Sequence, residues 1–179
     1  MVIKTKGRLL MNQNFKVPLE ERGLITIGGT DRRSFLQGLI SNDIDQVGVE
    51  QAIWAALLTA QGKYLHDFFI TEIGNQFFID CEAARLVDLG KRLSRFKLRA
   101  NINLGVAEDF SVWVLFGASP AATVGLEVRP GRGKAWKGGV VYCDPRLTDL
   151  GCRAILPKAT AIEELGKLDL VSGKMGEYN

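Results

Sequence analysis

The stretch AIWAALLTAQGKYLHDFFITEIGNQFFIDC, Ala52 to Cys81, decides how the rest of the chain is read. It holds three apolar runs separated by two turn signals. AIWAALLT (52–59) is almost wholly apolar, which predicts a strand buried on both faces. The turn AQGK follows, and YLHDFFITEI (64–73) reads as the second strand. Gly74-Asn75 is a tight hairpin signal, and QFFIDC (76–81) is the third strand. A doubly wound parallel sheet needs a helix after nearly every strand, so strands in direct succession argue instead for an α+β fold.

The same stretch carries the chain's only histidine, His66, beside Asp67 and just past Gly62-Lys63. Adjacent side chains of a strand point to opposite faces, so these two cannot line one pocket without a bulge. That argues against a His-Asp catalytic pair, and His66 reads as structural. If Asp67 shares the inward face with Phe69, it is a carboxylate in an apolar strand and needs a partner. Gly62 and Lys63 form either a plain hairpin turn or a turn that lets a flat ligand approach the backbone. Asn42 and Asp43 suit the end of the first helix. Trp54, Trp113 and Trp136 lie in predicted strands and read first as core.

Outward from this centre, RGLITI (22–27) is a strand closed by Gly28-Gly29. Thr30 or Asp31 then caps a helix RRSFLQGLI whose apolar face is Phe35, Leu36, Leu39 and Ile40. Residues 82–98 carry Ala84, Leu86, Val87, Leu89, Leu93 and Phe96 at helical spacing, with basic residues on the other face. In the second half SVWVLFG (111–117) is a strand, and Ser119 and Pro120 open a short helix. LEVRP, KAWKGGVVYC and CRAILP read as strands, and KATAIEELGKL (158–168) as a closing helix. Both halves share one order, so the expected class is α+β with two similar β-α-β(2–3)-α units. Residues 1–18 are read as an N-terminal extension, 19–168 as the α+β domain with units of about 19–102 and 103–168, and 169–179 as a tail.

The whole chain bounds the function. Its 179 residues, 46% of them hydrophobic, support a real core, and the net charge is only +3. Lys91, Arg92, Arg95, Lys97 and Arg99 form one basic cluster; Arg129, Arg132, Lys134 and Lys137 form another. They read as two solvated faces, or as a rim for an anionic ligand. No RNA-binding, zinc-finger or helix-turn-helix signature accompanies them, which sets nucleic acid aside. GRGKAWKGG does not fit the phosphate-loop pattern, so an NTPase site is excluded. Cys81, Cys143 and Cys152 are odd in number and lack a C-x-x-C, so neither a disulfide framework nor a metal site is expected. Buried thiols suit a reducing compartment. There is no apolar run of membrane length and no apolar leader core near the N-terminus, so a soluble, cytoplasmic protein with no membrane contact is expected.

Four segments, ITIGGTDRRSFLQGLISNDI, AIWAALLTAQGKYLHDFFI, FFIDC…RLVDLGKRLSRFKLRANI and DPRLTDLGCRAILP, together resemble the YgfZ type of folate-binding protein. That type is related to the glycine cleavage T-protein (an aminomethyltransferase) and to the mitochondrial iron–sulfur assembly factors. The specific part is the combination F-L-Q-G-L-x-[ST]-N-D, L-x-x-x-G-K and K-L-R-A. The resemblance implies two similar units around a channel that holds tetrahydrofolate or a one-carbon derivative. In aminomethyltransferases the turn reads G-G-[IV]-x-D-D; here it is Gly62, Lys63, Tyr64, Leu65, His66 and Asp67, so one aspartate is kept and His66 replaces the other. Trp54 falls where the aminomethyltransferases carry a tyrosine near the folate. The K-G-C-[YF]-x-G-Q-E signature does not occur, and no cysteine of this chain sits in such a motif. The C-terminal part of the family is therefore expected to be missing, in a shortened member or a fragment.

These readings imply a non-enzymatic folate-binding protein that supports iron–sulfur protein maturation. Its expected binding residues are Asn42, Asp43, Trp54, Gly62, Lys63 and Asp67, with Arg95, Lys97 or Arg99 as a rim for the glutamyl tail. Its expected partners are the folate and iron–sulfur client proteins. The first alternative is an aminomethyltransferase-like enzyme with Asp67 as the catalytic acid/base group. The second is a structural remnant that binds nothing and covers exposed apolar surface as a homodimer.

Overall fold

Ile53 to Glu82 folds as three consecutive antiparallel strands, and everything else packs on one or the other face of the sheet they begin. The computed structural model describes residues 13–173. In chain order the elements are β1 (Asn14–Pro18), β2 (Arg22–Gly28), α1 (Arg32–Gln37), β3 (Ile53–Leu58), β4 (Tyr64–Ile73), β5 (Gln76–Glu82), α2 (Leu86–Phe96), β6 (Asn103–Val106), β7 (Phe110–Gly117), α3 (Pro120–Thr123), β8 (Gly133–Trp136), β9 (Gly139–Cys143), β10 (Cys152–Pro157), α4 (Lys158–Gly166) and β11 (Val171–Ser172).

One sheet has the order β3-β4-β5-β2-β6, the other β11-β1-β7-β10-β9-β8. The pairings are antiparallel except β1 with β11. Strand alternation then divides the apolar residues into layers. On one face of the first sheet, Ile25, Ile27, Phe68, Ile70, Phe77 and Ile79 pack against Phe35 and Leu36 of α1 and Leu89 and Leu93 of α2. On its other face, Leu24, Phe69 and Phe78 meet Val112, Val114, Val140, Tyr142 and Ile155 of the second sheet. The far face of the second sheet packs Leu115, Val141, Cys143 and Leu156 against Ala121 of α3 and Ala161 and Leu165 of α4. The layers run helix, sheet, sheet, helix. Each fully buried Phe or Ile contributes about 1.5–3 kcal/mol against the cost of chain order.

Several expectations are corrected. β3 is not buried on both faces: it is an edge strand in which Ile53, Ala55 and Leu57 are buried while Trp54 and Leu58 are exposed. KAWKGGVVYC is not one strand but a hairpin, β8 and β9. Its turn residues Lys137 (φ 53°) and Gly138 (φ 81°) both lie in the left-handed region that a tight two-residue hairpin requires. LEVRP forms no strand. Residues 14–18, read as part of an extension, form β1, and residues 171–172, read as tail, form β11 beside it. Residues 1–12 and 174–179 of those two segments lie outside the described residues. Asp31 stands at the N-terminus of α1 as expected, but its carboxylate accepts from the Asn101 amide rather than capping the helix. No helix among the described residues is long and apolar enough to cross a membrane.

Candidate functional site

Register places four side chains in a row across the inter-sheet face: Trp54, Phe69, Asp80 and Leu24, from β3, β4, β5 and β2. Asp67 lies one step along β4 on the same face, diagonal to Trp54. Its carboxylate accepts from the Tyr64 hydroxyl at 2.6 Å and from the Trp54 indole Nε1 at 3.1 Å. Burial pushes the Asp67 carboxyl up, but the bonds from Tyr64 and Trp54, helped by the charge of Arg22, more than offset this, and the group is held below the usual carboxylate range. Tyr64 moves the opposite way: its bond to Asp67 raises it, because ionising it would place two anions together. Arg85 extends the chain of contacts. It donates to the Leu65 carbonyl and to the Tyr64 hydroxyl, and its guanidinium lies 5.8 Å from the Tyr64 ring centre.

Trp54 is 41% exposed and Tyr64 56%. The cluster is therefore an ionised carboxylate between two solvent-facing aromatic rings. Each Asp67 oxygen has one protein donor among the bonds described here, and a carboxylate oxygen accepts about two. The arrangement is able to accept N–H groups from a flat ligand laid against the indole.

Beneath it the inter-sheet face is charged. Asp80, fully buried, binds Arg22 Nε at 2.6 Å through one oxygen and Arg153 Nη2 at 2.7 Å through the other. The guanidinium carbons of Arg153, Arg146 and Arg22 lie 4.2, 4.8 and 5.8 Å from the centre of the Phe69 ring. Arg146 also forms a two-pronged pair with buried Asp144. Tyr64, Phe69, Asp80, Arg22, Arg146 and Arg153 were not picked out from the sequence. A single charge inside an apolar strand, Asp80 in QFFIDC or Arg153 in CRAILP, is the signal that marks two of them.

The sequence candidates separate into two groups. Trp54 and Asp67 touch each other. Asn42 adjoins them, but its side-chain amide donates to the Trp54 backbone carbonyl and so braces β3. Asp43 accepts from the Asp45 amide and starts a short 3-10 turn. Gly62, with φ 79°, and the exposed Lys63 close the β3–β4 loop, in which the Thr59 amide binds the Lys63 carbonyl. A cavity of about 410 Å3 lies elsewhere, between α2 and β6. Arg95 stands in the last turn of α2 and Lys97 and Arg99 follow it, and α2 packs on the opposite face of the sheet from Asp67. Arg22, Arg146 and Arg153 gather around Phe69 on the Asp67 face, and Arg85 stands against Tyr64.

His66 points the other way, as its place next to Asp67 requires. It is 2% exposed, and its Nε2 lies 2.9 Å from Asp88 of α2, so the neutral ring donates there. Burial, aided by Arg85 and Arg92, lowers its pKa below 6.5 despite Asp88. The unfolded chain therefore binds the proton more readily, and stability is expected to fall as the pH drops below about 6.5. Urea midpoints at about pH 7.5 and about pH 5.5 check this. The decline should be smaller in His66→Gln, and an equal decline removes His66 as its source.

No protein-family model matches the chain. It is 32% identical over 150 residues to the mitochondrial iron–sulfur cluster assembly factor IBA57 homolog of Pyricularia oryzae, covering 78% of this chain and 35% of that one. It is 26% identical over 151 residues to the mitochondrial IBA57 factor of Mus musculus, covering 76% and 41%. The chain thus spans less than half the length of these relatives. Among solved structures, the glycine cleavage system aminomethyltransferase T of Bartonella henselae superposes with a TM-score of 0.68 at 18% identity, over 90% of this chain and 48% of that one. At that identity the likeness shows the fold. The expectation of a cytoplasmic location is overturned, because the relatives are named as mitochondrial and point to the mitochondrion. Free buried cysteines suit any reducing compartment and do not distinguish one from another. The resemblance read from the sequence holds: the chain is a homologue of the IBA57 iron–sulfur cluster assembly factors and has the mixed α+β fold of aminomethyltransferase T.

Proposed function

We propose that the chain is a tetrahydrofolate-binding protein without transferase activity that supports the maturation of iron–sulfur proteins. The observation that carries the binding part is the Asp67 carboxylate, kept ionised by Tyr64 and Trp54 at the open end of the inter-sheet face. A bound tetrahydrofolate supplies a flat pterin with N–H donors along one edge and an anionic tail. Asp67 accepts from those donors, Trp54 gives the apolar surface, and Asn42 holds the Trp54 strand in place. Asp43, Gly62 and Lys63 shape the adjoining loops. Arg22 and Arg146 supply positive potential for the tail. The strand order 3-4-5-2-6 of the first sheet corresponds to 8-9-10-7-1 in the second, to which β11 adds an edge, and supports a reading as two similar units within one domain. The maturation part rests on the named role of the relatives, and iron–sulfur client proteins are the implied partners.

A one-carbon transferase is the second reading, favoured by the fold shared with aminomethyltransferase T. Against it stands His66, turned to the helix layer, which leaves Asp67 as the single carboxylate of the turn. Calorimetric titration of the purified chain with tetrahydrofolate and 5-formyltetrahydrofolate decides between outcomes. Saturable binding is expected, weakened about ten- to a hundredfold in Asp67→Asn, the range of one charge-assisted hydrogen bond. Absence of heat from a folded sample overturns the folate reading. One-carbon transfer that is lost in Asp67→Asn promotes the enzyme.

A further inference from the structure

Cys143 ends β9 and Cys152 begins β10, and the two face each other directly across the antiparallel pair. The neighbouring pair is hydrogen-bonded, Asp144 amide to Gly151 carbonyl at 2.9 Å, and the Cys143 amide turns away to Arg132. The cysteines therefore occupy a non-hydrogen-bonded position, where backbones approach to about 4.5 Å. That spacing lies within the range a disulfide spans, about 4.4–6.8 Å between Cα atoms. The sulfurs are 3.9 Å apart, both as free thiols. Both also line a cavity of about 210 Å3 together with Ala118, Ala122, Val128 and Thr148. A water molecule takes about 30 Å3 of liquid, so the cavity has room for a peroxide beside the two residues.

The two thiols are not equivalent: the Cys143 Sγ lies 3.5 Å from the Glu127 carbonyl oxygen, and the two groups are shifted in opposite directions. The contact with the Cys152 sulfur lowers the Cys143 thiol against the opposing effect of burial, with help from the Arg129 backbone. The same contact and burial push Cys152 up. Cys81 is the internal contrast: alone in the helix-side core, it is pushed by burial up to about 11.

We propose that Cys143 and Cys152 are a redox-active dithiol that hydrogen peroxide converts reversibly to an intramolecular disulfide. The Cys143 thiolate attacks one peroxide oxygen; the O–O bond breaks and hydroxide leaves, giving a sulfenic acid. The Cys152 sulfur then attacks the Cys143 sulfur. Its proton and the sulfenic hydroxyl leave as water, and the S–S bond forms. Two thiols are oxidised, one peroxide is reduced to two waters, and two equivalents of a small thiol such as glutathione reverse the change. The strands so joined carry Tyr142 and Arg153, which face the candidate site from the other side of the sheet.

The test treats the reduced, folded full chain with hydrogen peroxide and maps its peptides by mass spectrometry. A Cys143–Cys152 link is expected, formed at least about tenfold faster than Cys81 reacts and undone by glutathione. In Cys152→Ser, dimedone should trap Cys143 as the sulfenic acid. If that variant does not fold, the mapping of the unaltered chain decides alone. Cys143 and Cys152 remaining free to alkylation after peroxide, or oxidising no faster than Cys81, overturns the proposal.

Discussion

Asp80→Ala is expected to lower folding stability by about 3–5 kcal/mol, measured as a shift of the urea midpoint at constant slope. Asp80 lies between Arg22 and Arg153 with no exposed surface, and Arg22 also donates to the Asp80 backbone carbonyl at 2.8 Å. Removing the carboxylate takes from the buried Arg153 guanidinium and the partly buried Arg22 the anion that both bind. Desolvation of a charge without a counter-charge is among the largest penalties a single substitution incurs. Asp80→Asn keeps the shape and one acceptor but turns an amide donor toward a cation, so its cost should fall only modestly below that of alanine. The double substitution Asp80→Leu with Arg153→Met removes the fully buried pair but leaves Arg22 without its anion, so it should recover part of the loss, because a buried ion pair is worth little relative to well-packed apolar groups. A loss below about 1 kcal/mol in Asp80→Ala would show that water or another group reaches the arginines.

The meander was legible because period, length and turn chemistry agreed: YLHDFFITEI and QFFIDC form β4 and β5, and Gly74, at φ 58°, closes their turn. The opposite facing of His66 and Asp67 followed from the pleat alone. What failed to read were positions set by tertiary pairing. NFKVP carries no strong strand signal, yet β1 is held between β7 and β11. The Lys137-Gly138 turn was hidden because lysine seldom takes a left-handed conformation. Gly139 opens β9 at a position where a Cβ would lie 1.9 Å from the Ile155 carbonyl oxygen, so glycine is required there. Of the candidate cluster, the sequence singled out Trp54 and Asp67 and passed over Tyr64 and Phe69 on the same strand and the charged residues from distant segments. Tyr64 looked like a strand opener. Arg22, Asp80 and Arg153 are 58 and 73 residues apart in their two bonds, and no local pattern pairs them.

Phe69→Ala is the second large effect, an expected loss of about 3–5 kcal/mol for an aromatic side chain removed from a packed interior. Phe69 is buried between the sheets, with Trp54 and Asp80 beside it in the cross-strand row and the Tyr142 ring 6.5 Å away. Its expected cost has two sources, packing and the attraction of the guanidiniums for the ring face. Phe69→Leu separates them, since it retains most of the apolar volume and loses the aromatic quadrupole. If the arginines draw on the ring, the leucine variant loses about 0.5–2 kcal/mol. A double-mutant cycle of Phe69→Leu with Arg153→Met should then show a coupling of similar size, because Arg153 stands closest to the ring at 4.2 Å. The cycle is best run with Asp80 intact, as the Asp80 bond keeps Arg153 in place in both Phe69 backgrounds. Coupling near zero would assign Phe69 to packing alone and leave the arginine positions to the aspartates. Measurable coupling would make the ring part of the device that concentrates positive charge beneath Asp67.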